Sequence, residues 1–259
     1  MQKGGSVTLK ILVALAIVIF SVIKYFASSD VNEITGEKQY ISLSKEEEIA
    51  LGINFAPQMA KEFGGLSTNK EMQNLVQQVG NRLVKNTDAA RTSYPFHFYV
   101  LADSQTVNAF ALPGGPIFIT EGLFRRLKNE DQLGGVLGHE IGHVIARHSA
   151  EQISKQALTQ GLVGAAGVAS GDVNTAQYAQ FIANMVNLKY GRSDELEADD
   201  LGVRFMIQAG YNPEALIGVM DILEDASGRV AVPEWQSSHP SPSNRRIKIK
   251  EAIEKYQQP

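Results

Sequence analysis

The sequence predicts a mainly helical α+β fold in which a small β-sheet lies next to a buried helix that contains His139. Three observations support this fold class. Apolar residues recur at helical spacing after Ser44, residues 96–120 carry the aromatic and β-branched side chains of strands, and helical patterns resume after Leu123. The 259 residues suffice for one large domain or two small ones, and we expect one folded domain over residues 44–259.

The composition excludes several classes of protein and of site. With 44% apolar residues, 20% charged residues and a net charge of −4, the chain lacks the basic excess of nucleic-acid-binding proteins, so we expect no nucleic-acid partner. Cysteine is absent, which excludes disulfides, thiolate metal sites and cysteine nucleophiles. Any metal must therefore be bound by histidine and carboxylate, and the chain has five histidines: His97, His139, His143, His148 and His239.

The N-terminal residues 1–29 have the pattern of a signal peptide or a membrane anchor. Two lysines precede an uncharged run over residues 11–23. This run is shorter than the roughly 20 residues that span a bilayer, but Lys24 can extend the segment by placing its amine at the membrane surface. Cleavage after Ser29 and retention as an anchor both remain open. In either case we expect export to the periplasm or to the extracytoplasmic face of the cell membrane.

The folded domain is predicted to begin at Ser44. Residues 30–43 are treated as a linker because the stretch is mostly polar and lacks an apolar period. Ser44 and Glu47 have the spacing of a capping box and open a first helix, and residues 72–84 form one apolar face of a second helix. Asn129 is placed to cap the helix that contains His139.

A Leu-Pro-Gly-Gly-Pro run at residues 112–116 follows the first of two extended segments, 96–101 and 116–120. Two prolines that bracket two glycines would disrupt a central strand, because proline cannot donate to the sheet. We therefore expect this part of the chain at a sheet edge. Exposed edges can bind extended peptides, so a substrate-facing role is one interpretation and an ordinary hairpin turn is the other.

The strongest chemical signal is the run from His139 through Glu140 to His143. Residues four apart lie one turn apart on the same side of a helix, so the two imidazoles can face one ion. In H-E-x-x-H motifs the two histidines bind Zn²⁺ and the glutamate is the general base. The surrounding helix is apolar nearly all round and rich in glycine, which predicts burial and close packing. Two hydrogen-bonded core histidines are the alternative.

A catalytic zinc commonly has three protein ligands, so a third ligand is expected downstream. The metzincin extension requires glycine at 146 and histidine at 149, where this sequence has Ala146 and Ser149. His148 is one residue out of register. We expect its position on the helix to direct it away from the two motif histidines, and we give it no ligand role.

The acidic segment 194–200 can supply a carboxylate as the third ligand. Within it, Glu195 and Asp199 have the i,i+4 spacing of one helix face, so one can bind zinc while the other supports the site. Asp199 is well placed to accept a ring N–H from a metal-binding histidine, which would fix the tautomer of that ring. A solvated helix face is the alternative for an isolated acidic cluster.

Taken together, these motifs resemble the M48 family of zinc metallopeptidases over most of residues 44–250. Five motifs in order carry the resemblance: Leu51-Gly52, the run from Asn108 to Gly115, the His139 motif, Glu195 to Asp199 after Arg192-Ser193, and His239-Pro240-Ser241. The resemblance implies a zincin-like metalloprotease domain with one Zn²⁺ per chain. It also implies these roles: zinc ligands His139, His143 and Glu195, catalytic Glu140 and supporting Asp199. The one hydrophobic N-terminal segment is similar to the exported, single-anchor branch rather than to multi-spanning prenyl-protein proteases.

His239 has two candidate roles, which predict opposite mutants. It can donate to the developing oxyanion as a catalytic residue, or it can occupy the open coordination position in a closed resting state. Removal would slow turnover in the first case and would raise activity in the second. A structural histidine in a turn is the third option. Tyr190 and Arg192 are further candidates for substrate contacts, with packing as the alternative for each.

The predicted function is that of a zinc-dependent endopeptidase, which hydrolyses peptide bonds through a zinc-activated water. Its expected substrates are unfolded or misassembled envelope proteins. An extended substrate would add to the sheet edge, with these substrate-binding residues: Asn108, Ala109, Phe110, Gly114 and Gly115. The expected partners are polypeptide substrates and, through the N-terminal segment, the membrane, and the oligomeric state stays open. The alternative function is an exported zinc-containing binding or assembly factor, chaperone-like and with little proteolysis.

Overall fold

The computed structural model describes residues 3–170, 190–227, 239 and 244–257. The predicted fold class is confirmed, since these residues form a mainly helical α+β structure with small sheets. The chain divides into two compact units. One comprises Met1–Ser44 with Ala150–Leu188, and the other comprises Lys45–Ser149 with Lys189–Pro259.

The first unit contains an N-terminal helix, a short hairpin and most of a later helix. These are α1 (Lys3–Ala27), β1 (Ser29–Val31), β2 (Lys38–Tyr40) and α6 (His148–Ser170), whose first two residues belong to the second unit. The 20 residues Thr8–Ala27 are long and apolar enough to cross a membrane, judged by length and composition. The antiparallel β1–β2 hairpin lies in the stretch expected to be a linker, and Tyr40 in it stacks on Tyr25 at a ring separation of 5.2 Å.

The second unit carries the candidate site. Its helices are α2 (Lys45–Glu62), α3 (Lys70–Asn86), α4 (Glu121–Phe124), α5 (Glu130–Ile145), α7 (Arg192–Gln208), α8 (Ala215–Ser227) and α9 (Arg245–Gln257), with a 3-10 helix at Asp88–Arg91. Its strands are β3 (His97–Leu101), β4 (Ala109–Ala111) and β5 (Pro116–Thr120). As predicted, Asn129 caps α5, and its side chain accepts from the backbone N–H of Gln132 at 2.9 Å.

The three strands form one sheet in the order β3-β5-β4, with β3 parallel and β4 antiparallel to the central β5. β4 is therefore an edge strand, and residues 112–115 are the hairpin turn that joins it to β5. The expected edge and the expected hairpin turn are both present. Gly114 has a φ of +74°, and a Cβ there would lie 2.4 Å from the Cα of Ile49 in α2, so both the turn and the packing require glycine.

Helix α5 forms the centre of the second unit and packs against α3, α7, α8 and β4. It is buried along nearly its whole length, as its sequence predicts. A Cβ at Gly142 would lie 3.0 Å from the backbone oxygen of Ala198 in α7. Glycine in the zinc-motif helix therefore lets two helix backbones approach closely, and this contact places the histidines of α5 beside the acidic residues of α7.

Candidate active site

Four buried side chains come together where α5 faces α7. His139 and His143 project from α5, Glu195 projects from α7, and His239 joins them from a separate segment. One potential ligand atom from each of these residues lies within 4.8 Å of the other three. The Nε2 atoms of His139 and His143 are 3.0 Å apart, and the Glu195 carboxylate lies 3.6 Å and 3.5 Å from them, respectively.

This donor set fits a zinc ion. Imidazole nitrogen and carboxylate oxygen are among the ligands that zinc takes in catalytic sites. Here the four potential ligand atoms are close enough together to contact one ion. Glu140 provides a second observation. Both of its carboxylate oxygens are buried without a hydrogen-bond partner among the described residues, and Oε1 lies 3.8 Å from His239 Nε2 in an ion-pair contact. A buried carboxylate that accepts no hydrogen bond is costly. Glu140 can therefore accept a hydrogen bond from a polar ligand bound beside the donor set.

On the outer side of His139, a pair of charged residues fixes the ring. The Asp199 carboxylate lies 2.9 Å from His139 Nδ1, in the position expected for a support that directs Nε2 towards a metal. Arg245 on α9 donates to Asp199 through Nε at 2.5 Å and lies 3.2 Å from the Glu195 carboxylate. Burial alone would raise the pKa of the Asp199 carboxyl, but the Arg245 charge holds that pKa below its ordinary value.

Arg245 is a site residue that the sequence analysis missed. Only 2% of its side chain is exposed, although it is adjacent to Arg246 in a polar helix whose sequence suggests exposure to solvent. The available signal lay in the acidic residues rather than in the arginine. Two buried carboxylates, Glu195 and Asp199, require a cation nearby in addition to any metal, so a buried arginine or lysine is to be expected beside them.

The position of His148, on the outer side of His143, differs from the prediction. We expected His148 to point away from the motif histidines, but its Nδ1 lies 2.8 Å from Nδ1 of His143. The prediction was wrong because it continued the helix past the end of α5. Arg147 adopts a left-handed conformation with a φ of +56°, and the chain turns there before α6 begins.

Tyr190 covers the other face of His143. Its ring stacks on the imidazole at a centroid separation of 4.0 Å, and its hydroxyl lies 2.8 Å from the Ser149 hydroxyl. Burial raises the pKa of the Tyr190 phenol, so it stays protonated and can donate a hydrogen bond. These contacts favour packing over the substrate contact considered for Tyr190.

The buried charges at the site have unequal proton affinities. Burial lowers the pKa of His143 well below its ordinary value, so that ring is neutral and able to bind a metal at neutral pH. Burial also raises the pKa of the Glu140 carboxyl. Glu195 and His239 form a close pair at 2.9 Å, in which attraction outweighs burial. The pKa of Glu195 is therefore held well below, and that of His239 above, its ordinary value.

The five predicted substrate-binding residues fall into two groups. Asn108 directly precedes the edge strand β4, and Ala109 and Phe110 are its first two residues. Asn108 and Ala109 are buried, and the strand packs beside α5. Gly114 and Gly115 lie in the turn, and a Cβ at Gly115 would lie 2.6 Å from the backbone oxygen of Pro95. The space beside both glycines is thus filled by the chain's own backbone, which indicates a packing requirement at these two positions.

Comparison with known proteins identifies the family. The profile of peptidase family M48 matches residues 70–253. The beta-barrel assembly-enhancing protease of Yersinia pestis is 33% identical over 214 residues, which are 79% of this chain and 43% of that protein. The beta-barrel assembly-enhancing protease of Escherichia coli K12 is 30% identical over 228 residues, which are 84% of this chain and 46% of that protein. The chain thus spans less than half the length of these two bacterial relatives.

A eukaryotic relative is covered more completely. The mitochondrial metalloendopeptidase OMA1 of Schizosaccharomyces pombe is 30% identical over 237 residues, which are 90% of this chain and 69% of that protein. The region matched by the M48 profile contains both α5 and α7, and so includes the H-E-x-x-H motif and Glu195. The chain therefore belongs to peptidase family M48 and is, by family, a metalloendopeptidase.

Proposed function

We propose that this chain is a zinc-dependent endopeptidase of the cell envelope that cleaves unfolded or misassembled polypeptides. One observation carries the proposal: the buried donor set of His139, His143 and Glu195 lies beside Glu140, whose carboxylate oxygens have no hydrogen-bond partner among the described residues. A site built only for stability has no need for such a carboxylate, whereas hydrolysis needs a base at this position.

His139, His143 and Glu195 would hold one zinc ion per chain, since two imidazoles and a carboxylate form one of the known catalytic ligand sets. When bound, zinc supplies Lewis acidity that activates water and stabilises negative charge on the substrate carbonyl oxygen. The protein keeps both imidazoles oriented through their Nδ1 contacts. Arg245 balances part of the negative charge of Glu195 and Asp199.

Glu140 would act as the general base and then as the general acid. It accepts a proton from the attacking water as the water oxygen bonds to the scissile carbonyl carbon, and it returns that proton to the leaving nitrogen as the C–N bond breaks. The raised pKa caused by burial suits this double role, because it makes the carboxylate a better base.

His239 would close the site in the state described here. It is fully buried, it is one of the four clustered donors, and its Nδ1 lies 2.9 Å from the Glu195 carboxylate. A substrate carbonyl needs the position that this imidazole approaches, so His239 must move before cleavage. This geometry favours the blocking role over oxyanion stabilisation.

The edge strand β4 would bind the substrate backbone. Asn108 pairs with Thr120, and Leu112 with Pro116, through hydrogen bonds to the central strand. Pairing alternates along an antiparallel ladder, so the N–H and C=O groups of Ala109 and Ala111 point away from β5. An extended peptide can add there by main-chain hydrogen bonds, with modest sequence preference. Asn108 Oδ1 is buried without a hydrogen-bond partner among the described residues, and it can accept from the peptide.

Envelope proteins are proposed as substrates for two reasons. The 20-residue apolar stretch of α1 favours export or anchoring, with the domain outside the cytoplasm. Relatives from Yersinia pestis and Escherichia coli are named beta-barrel assembly-enhancing proteases, and these names support a role for the present chain close to β-barrel assembly. Recognition through the backbone would select extended, incompletely folded chains.

The test compares casein cleavage by the zinc-loaded full-length chain with cleavage by a Glu140→Gln variant of equal zinc content. The proposal predicts fragments from the wild type and a loss of rate of at least about a hundredfold in the variant. Equal cleavage by both proteins would exclude Glu140 as the base.

A zinc-containing binding or assembly factor with little proteolysis is the second candidate. The observation that favours it is the four-donor cluster, because a closed set of four ligands is typical of structural zinc. This candidate predicts no casein cleavage by the wild type or by His239→Ala, with zinc bound in both.

A further inference from the structure

We propose that His148 is a positioning residue for His143, and that Glu197 in turn holds His148. The inference rests on the proposed zinc endopeptidase, because it assigns His143 as a ligand. It extends that assignment to two residues, one at the start of α6 and one on α7, to which the sequence analysis gave no role at the site.

The three side chains form a continuous row. His143 Nδ1 lies 2.8 Å from His148 Nδ1, and His148 Nε2 lies 3.2 Å from the Glu197 carboxylate. His148 is 1% exposed, whereas the Glu197 side chain is 26% exposed. The row therefore runs from the buried centre to a partly exposed side chain, whose Oε1 is itself buried.

The geometry permits one consistent arrangement of protons. If His143 binds the metal through Nε2, its remaining proton is on Nδ1 and can be donated to His148. His148 must then present a lone pair at Nδ1 and carry its own proton on Nε2, which points at Glu197. A negative Glu197 favours this tautomer of His148. The charge of Glu197 thus fixes the orientation of the His143 ring through one intervening imidazole.

The two motif histidines are supported in different ways. His139 has a direct carboxylate, Asp199, which is itself held by buried Arg245. In the case of His143, the imidazole of His148 lies between its ring and the Glu197 carboxylate. The group in direct contact with His143 is therefore a neutral ring rather than a charged carboxylate. Each ligand ring is nevertheless held at Nδ1, and each Nε2 faces the four-donor cluster.

A backbone feature aims His148 at His143. Arg147 has a φ of +56°, which turns the chain after α5 so that the next side chain reaches back to the site. The Arg147 guanidinium forms a buried ion pair with Glu48 on α2, through Nε at 2.8 Å. This ion pair stabilises an otherwise unfavourable conformation and thereby the position of His148.

The experiment measures the zinc dissociation constant of the full-length chain by competition with a chromogenic chelator. His148→Phe keeps a planar ring without an acceptor, and we expect it to weaken zinc binding by about 10- to 100-fold. His148→Asn places an amide oxygen near the position of Nδ1, and we expect it to restore much of the affinity. Asp200→Asn is the matched control, because Asp200 is on the same helix as Glu197 but pairs with Lys255 and Tyr256.

Folding is checked by the melting temperature of the zinc-free proteins. A folded His148→Phe variant that binds zinc as tightly as the wild type would overturn the inference. If that variant does not fold, Glu197→Ala decides: a dissociation constant raised several-fold supports the row of contacts, and an unchanged one overturns it.

Casein cleavage by the same samples separates this inference from the proposed function. Wild type that cleaves casein, together with variants of unchanged zinc affinity, would refute the role of His148 and leave the protease standing. If wild type binds zinc and the variants show the expected effects, but neither wild type nor His239→Ala cleaves casein, the protease is refuted and the positioning role remains. A wild type without zinc affinity would overturn both.

Discussion

Arg245 donates to both carboxylate oxygens of Asp199, through Nε at 2.5 Å and through a terminal nitrogen at 2.9 Å. The same guanidinium lies 3.2 Å from Glu195, so one buried cation holds the two acidic residues of α7 that face the histidines. Breaking a buried ion pair from one side leaves an uncompensated charge, which is more costly than losing a surface pair.

Arg245→Met should therefore lower the free energy of unfolding of the zinc-free protein by about 3–5 kcal/mol, as measured by chemical denaturation. Arg246→Met is the matched control, since Arg246 is 39% exposed and pairs with Asp221 and Glu224 at the surface. The control should lose no more than about 1 kcal/mol. Equal losses in the two variants would contradict the role given to Arg245.

Removing the fourth donor should open the site. His239→Ala is expected to raise the casein cleavage rate several-fold at equal zinc content, because the imidazole no longer competes with the substrate for the position it approaches. The Glu140→Gln/His239→Ala double variant should be inactive and serves as the control. A lower turnover number with unchanged zinc affinity would instead support oxyanion stabilisation by His239.

Blocking the edge of β4 that faces away from β5 should impair substrate binding. Ala111→Pro removes an N–H that points away from the sheet, at an edge position where proline is tolerated. We expect KM for a peptide substrate to rise about tenfold with zinc affinity unchanged, because one main-chain hydrogen bond to the substrate is lost. Ala111→Val adds bulk but keeps the N–H, and it should have the smaller effect. Equal KM values for the proline variant and wild type would argue against strand addition.

Asp88 should make stability depend on pH. Although burial opposes the shift, a hydrogen bond from Gln208 and the charge of Arg204 lower the pKa of Asp88 below 3.8. A lowered folded-state pKa adds stability above the unfolded pKa, and that stability is lost as the pH falls through the folded value. Asp88→Asn should thus cost about 1 kcal/mol at neutral pH and progressively less below pH 3.8. Denaturation curves of wild type and variant across this pH range test the prediction. A difference in unfolding free energy that does not change with pH would contradict it.

The parts of the site that follow from local spacing could be predicted from the sequence. His139 and His143 share a helix, as do Glu195 and Asp199, and helix geometry alone puts each pair on one face. The edge position of β4 also followed from composition, because the prolines and glycines next to it are poorly suited to a central strand.

The rest depended on features that no local pattern encodes. His148 was misplaced because a single left-handed residue, Arg147, ends the helical register, and arginine carries no sequence signal for that conformation. Arg245 comes to the site from α9 through tertiary packing, far along the chain from Asp199. The β1–β2 hairpin was not predicted because its strands have three residues each, too few to show an alternating pattern.

The most direct test of the central claim is the zinc content of the purified full-length chain, measured by native mass spectrometry beside His143→Ala and Glu195→Gln. The account predicts one zinc per wild-type chain and little or none in either variant, because each variant removes one of three ligands. A wild type without zinc, or variants that retain a full equivalent, would contradict a metal centre built from His139, His143 and Glu195.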